Sequence, residues 1–97
     1  GHLYENIVAI ELLRREYEVY VGKLYEKEVD FVAIKNGRKT YLQVCDDLSN
    51  PETFKREVSP LKAINDSYPK LVIARTKAET YDYEGIEIID IAKWLNE

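Results

Sequence analysis

The sequence predicts a single α/β domain, residues 1–97, with a mixed sheet flanked by helices. Three observations carry that expectation. A helix-period run opens the chain, an Asn36-Gly37 pair separates two strand-like runs, and a helix with proline near its start is followed by two short apolar runs rich in Val and Ile. A chain of 97 residues that is 45% hydrophobic can bury about three-fifths of the surface its unfolded form exposes, enough for one core.

Residues Leu3 to Glu16 contain no Gly or Pro and carry Ile7, Val8, Ala9, Ile10, Leu12 and Leu13. That is more apolar surface than one amphipathic stripe requires, so a largely covered helix is expected. Glu18 to Gly22 is rich in strand formers, and a polar loop around Lys23 to Lys27 leads into a second strand, Glu28 to Lys35. Asn36-Gly37 accepts the positive φ angles of a two-residue hairpin turn and hands over to a third strand, Arg38 to Asp46. Asn50-Pro51 reads as an N-cap followed by proline at the first helical position, with Phe54, Val58, Leu61 and Ile64 on one face. Pro60 is expected to kink or split that helix. Lys70 to Arg75 and Ile86 to Ile89 read as strands covered on both faces, and Asp90 as the cap of a last helix bearing Trp94 and Leu95.

The single Cys45 excludes an internal disulfide and a Cys-cluster zinc site, and it fits a reducing compartment, so a cytoplasmic location is expected. No apolar run approaches the ~20 residues that span a bilayer, so no membrane partner is expected. The net charge of −4 argues against strong binding to nucleic acid by the chain as a whole, although a local basic face can exist within an acidic average. With no Met and with Gly1-His2 at its start, the chain reads as a piece of a longer protein.

If Asn36 and Gly37 are the two loop residues, Lys35 faces Arg38 and Asp30 faces Gln43. Asp30 and Gln43 then share one sheet face with Glu28, Val32, Tyr41 and Cys45, while Val29, Phe31, Ala33, Leu42 and Val44 form the opposite, core face. Glu5 begins the helical stripe that continues through Val8, Ala9 and Leu12. Two carboxylates and the chain's only glutamine converging on a sheet face suggest oxygen ligands for a divalent cation, Mg²⁺ or Mn²⁺. The alternative is that Glu5 complements the helix dipole and Asp30 lies at a solvated sheet end. His2 is isolated, Cys45 has no base to activate it and reads as a small filler, and Asp46 and Asp47 read as turn residues.

These positions resemble the PD-(D/E)XK nucleases, whose pattern is a Glu on the first helix, an Asp on the second strand and (D/E)-x-K on the third. Here they read Glu5, Asp30 and Gln43-Val44-Cys45. More narrowly, Gly1-x-x-x-Glu5-Asn6-x-Val8, Glu28-Val29-Asp30-Phe31, Leu42-Gln43-Val44-Cys45 and Arg56-Glu57-x-x-Pro60-Leu61 resemble the C-terminal domain of a group of archaeal and bacterial AAA-type P-loop ATPases. The resemblance implies a restriction-endonuclease-like αβββαβ core and an ATPase domain elsewhere in the same polypeptide. With no G-x-x-x-x-G-K-S/T loop in this chain, ATP is not expected to bind here. It also implies a catalytic and metal set of Glu5, Asp30 and Gln43, with the backbone carbonyl of Val44 as a further ligand.

The departure lies at the lysine position, which holds Cys45; Lys55, Arg56 and Lys62 on the second helix are candidates for a recruited cation, Lys55 first. Three readings follow. The domain is a degenerate nuclease-like module that contacts DNA or assembles subunits as a homo-oligomer; or an active Mg²⁺-dependent deoxyribonuclease with a recruited lysine; or a purely structural interaction domain.

Overall fold

The computed structural model describes residues 2–22 and 28–97. The expected loop at Lys23 to Lys27 therefore lies outside the described residues, as does Gly1. In chain order the elements are α1 (His2–Arg14), β1 (Glu18–Val21), β2 (Phe31–Lys35), β3 (Arg38–Val44), α2 (Pro51–Lys62), β4 (Lys70–Ala74), β5 (Tyr81–Tyr83), β6 (Ile86–Asp90) and α3 (Ile91–Leu95).

The β2–β3 hairpin closes as the sequence predicts. Asn36 and Gly37 both take positive φ, 54° and 76°, which matches the right-handed twist of the flanking strands, and Lys35 pairs with Arg38. β1 adds antiparallel to the outer side of β2. β4 lies parallel to β3, β6 lies parallel to β4, and the six-stranded sheet has the order β1-β2-β3-β4-β6-β5. This is the mixed sheet expected of the α/β class.

Both faces of the sheet are core. On one, Phe31, Ala33, Leu42, Val44, Ile73 and Ile89 meet Val8 and Leu12 of α1 and Ile91 and Trp94 of α3. On the other, Val32, Tyr41, Val72, Ile86 and Ile88 meet Phe54, Val58, Leu61 and Ile64, the predicted face of α2. Asn50 caps α2 by accepting the Glu52 amide at 2.8 Å. Asp90 caps α3 by accepting the Ala92 amide at 3.1 Å, and its other oxygen holds the Lys77 amide at 2.7 Å.

The structure corrects five expectations. β2 begins at Phe31, because residues 28–30 bend before the ladder starts. That bend breaks the strand alternation and sends Val29 into the α2-side cluster instead of placing it beside Phe31 and Ala33. Pro60 neither kinks nor splits α2, which runs unbroken to Lys62; so close to the C-terminal end, proline removes one backbone donor in a turn already giving way to its cap. α1 is not largely covered, since Leu3, Ile10 and Leu13 remain 60–69% exposed. Finally, β5 is an unexpected sixth strand. It pairs antiparallel with β6 around Glu84 (φ 51°) and Gly85 (φ 90°), a hairpin turn in which Glu replaces the usual Asn or Asp.

Leu61 is fully buried and Ile10 is exposed, so the two helices should respond very differently to truncation. Leu61→Ala is expected to lower the unfolding free energy by about 2–5 kcal/mol through lost burial and a residual cavity. Ile10→Ala should change it by less than about 0.5 kcal/mol. Urea melts of both variants check this, and equal losses would contradict the placement of the core.

Candidate functional site

At the bend where β2 begins, Asp30 meets the end of β3. The ladder stops at Phe31–Leu42, but side chains continue it. The Asp30 amide donates to Oε1 of Gln43 at 2.8 Å, and the Val44 amide donates to Oδ2 of Asp30 at 2.8 Å. Asp30 and Gln43 are therefore the cross-strand neighbours that the Asn36-Gly37 turn predicts. They are joined through side chain and backbone where a strand would use backbone alone.

Among the described residues Gln43 is the buried polar one, 5% exposed, and burial of an amide requires partners for both its ends. Its nitrogen supplies the second, donating to the carbonyl of Glu57 on α2 at 3.1 Å. One side chain thus ties β2 to β3 and β3 to α2. No buried side-chain nitrogen or oxygen among the described residues lacks a hydrogen-bond partner.

Glu57 is the member of the site that the pattern reading missed, having entered only as part of a motif. Only 15% of its side chain reaches solvent. Burial first, and then the nearby charge of Asp30, hold its carboxyl above the usual carboxylate range; Arg56 opposes them, and Glu5 adds a weaker upward push than the pull of Arg56. The usable signal was its place on α2, three residues after Phe54 and four before Leu61, a carboxylate at the margin of an apolar stripe.

Cys45 follows directly. Desolvation, then the charges of Glu57, Asp30 and Asp46, push its thiol up to about 12, so it is neutral at physiological pH and is neither a nucleophile nor a positive charge. It packs half-buried beside the α2-side cluster, in keeping with a filler. Asp47 takes a turn role, accepting the Ser49 amide at 2.8 Å.

The remaining predicted residues gather less tightly. Glu5 begins the covered stripe of α1, its side chain 35% exposed with His2 Nδ1 3.9 Å away, and its charge reaches Glu57. The part of Val44 that meets Asp30 is its amide, where the resemblance implied a role for its carbonyl. Lys55, Arg56 and Lys62 all lie on the exposed side of α2. Lys62 pairs with Glu84 at 3.2 Å, and Arg56 is the cation that comes near the site, 3.9 Å from Glu57.

The donor set does not fit a tightly held cation with oxygen ligands. The Gln43 oxygen is already accepting from Asp30, and one Asp30 oxygen from Val44. No group of three or more His, Cys, Asp or Glu side chains among the described residues is arranged to hold a metal ion. What the arrangement offers is concentrated negative charge above a closed hydrogen-bond knot.

The chain is 45% identical, over 91 residues, to a protein of Haemophilus influenzae described as uncharacterized; the match covers 94% of this chain and 22% of the relative. The chain thus spans about a fifth of the relative's length. No family model matches the chain, and no solved structure matches it. No helix among the described residues is long and apolar enough to cross a membrane.

A raised carboxyl in the folded state has a definite consequence for pH. Glu57 favours folding while protonated, so its contribution is full below the ordinary value of 4.5 and is lost as pH rises through the higher folded-state value. Glu57→Gln, which fixes the neutral form and leaves the backbone carbonyl in place, should melt higher than the parent chain at pH 7. The two melting curves should converge below pH 4.5. A variant that melts lower at pH 7 would show that the Glu57 charge has a stabilising partner.

Proposed function

We propose that this domain is a catalytically degenerate, nuclease-like binding or regulatory module of a longer cytoplasmic polypeptide that also carries an AAA-type ATPase domain. One observation carries the reading: the groups that would hold a metal in the nuclease pattern, Asp30 and Gln43, are engaged by the domain's own backbone at Val44 and Glu57. Phosphodiester hydrolysis at such a site needs a cation held by free oxygen donors and a fixed positive charge near the phosphate. A neutral Cys45 thiol supplies no such charge, and Lys55, on the exposed side of α2, is poorly placed to replace it. Retention of the acidic frame without its chemistry fits a domain kept for its surface, either to contact DNA or to bring subunits together.

The fraction of the Haemophilus relative that the chain spans, 22%, supports membership of a longer polypeptide. The lone Cys45 supports a reducing cytoplasm. A second reading, loose attraction of Mg²⁺ or Mn²⁺, is favoured by the like-charge pressure of Asp30 and Glu5 on Glu57.

The test is cleavage of single- and double-stranded DNA by the purified chain in millimolar Mg²⁺ or Mn²⁺, beside thermal melts in the same buffers. The expected result is no cleavage, with a melting shift of no more than about two degrees. Cleavage that Asp30→Ala abolishes would overturn the proposal in favour of an active deoxyribonuclease with a recruited lysine.

A further inference from the structure

The opposite end of β3 carries a different feature. Around the β2–β3 turn the surface folds into a cleft of about 730 Å³, within the range of pockets that hold small ligands. Lys35, Arg38 and Lys39 are among its lining residues, together with Tyr17 and Tyr68. No carboxylate is among the described residues that line it, in a chain whose net charge is −4. Lys39 and Gln43 are four residues apart on one strand, about 13 Å at ~3.3 Å per residue, so cleft and candidate site are separate.

The cations are placed in unequal ways, and the differences matter. Lys35 is held, its ammonium donating to the Arg15 carbonyl at 2.8 Å and lying 5.2 Å from the centre of the Tyr17 ring. Arg38 and Lys39 are exposed and form no ion pair among the described residues. Asp66, the acid nearest in sequence to the Ser67–Pro69 wall, is already engaged by Tyr41, Lys70 and the Tyr68 amide. Three like charges at one hairpin tip repel one another, and no carboxylate in the cleft relieves them.

Isolated surface lysines need no explanation beyond solvation. Here the cations line the same cleft as Tyr68, a residue that is 38% exposed and has no cation over its ring among the described residues. Hydroxyls of Thr40 and Ser67 and the amide of Asn36 complete the lining with groups that donate to phosphate or sugar oxygens. Cations and an aromatic ring lining one cleft are the chemistry that takes a phosphate together with a stacked base.

We propose that this cleft binds a nucleotide unit, free or within a single strand, with the phosphate on Arg38, which shares a sheet face with Lys35, and the base on Tyr68. The site is independent of the degenerate carboxylate centre, so either assignment can fail alone.

The test is an amide-resolved NMR titration of the chain with AMP, with a short oligo(dT) strand and with inorganic phosphate. AMP or the strand should shift the amides of Asn36 to Thr40 and of Ser67 and Tyr68. Arg38→Glu should weaken binding at least ~tenfold at an unchanged melting temperature, and raising salt from ~50 to ~200 mM should weaken it by a similar factor. Saturation by AMP as tight as by the strand identifies a mononucleotide site, and tighter binding of the strand identifies a single-strand site; both support the proposal. It is overturned by the absence of shifts with every probe, by binding that survives charge reversal, or by inorganic phosphate binding as tightly as AMP.

Discussion

The structure depends on a reciprocal exchange at the place where a hairpin ladder ends. Asp30 gives its amide to the Gln43 side chain and takes the Val44 amide on its own carboxylate. Backbone groups at a frayed strand end normally satisfy themselves with water. Here the end is covered by α2, and water is replaced by fixed partners. A carboxylate that accepts a backbone amide in a partly buried position forms a charge-assisted bond, stronger than the neutral ladder bonds it extends.

From that exchange the second layer follows. Once the Gln43 oxygen is committed to Asp30, its nitrogen must find an acceptor, and the Glu57 carbonyl lies above it. A helical carbonyl that takes an extra donor in this way fixes the height and rotation of α2 over the sheet, and Phe54, Val58, Leu61 and Ile64 then fall onto the face formed by Val32, Tyr41 and Val72. The cost is the burial of Glu57 beside Asp30, and both burial and the neighbouring charge raise its carboxyl.

Much of this was legible in the residues, for reasons that can be separated. Asn36-Gly37 fixed a register because positive φ at two successive residues leaves few alternatives, and the register made Asp30 and Gln43 neighbours. Asn50-Pro51 and Asp90 marked helix starts because capping chemistry is local. What was hidden needed tertiary knowledge. Periodicity could not tell that residues 28–30 bend, so Val29 was assigned to the wrong layer. Glu84-Gly85 lacks the Asn or Asp of a familiar turn, so β5 passed unseen. Glu57 left only a faint trace, a carboxylate at the margin of an apolar stripe, because its role rests on a carbonyl, which every residue has, and on charges brought near by folding.

The sheet order has a kinetic consequence. β4 sits between β3 and β6 and is parallel to both, so no tight turn delivers it to either neighbour. The β2–β3 and β5–β6 hairpins each close over two residues and can form from local sequence alone, whereas β4 must wait for the 45–69 connection, with α2 inside it, to fold back. The longest loop closure in the sheet therefore belongs to the central strand. Because closure entropy grows only slowly with length, at about 0.6 kcal/mol per doubling, this connection is where the chain tolerates insertion thermodynamically while its folding slows.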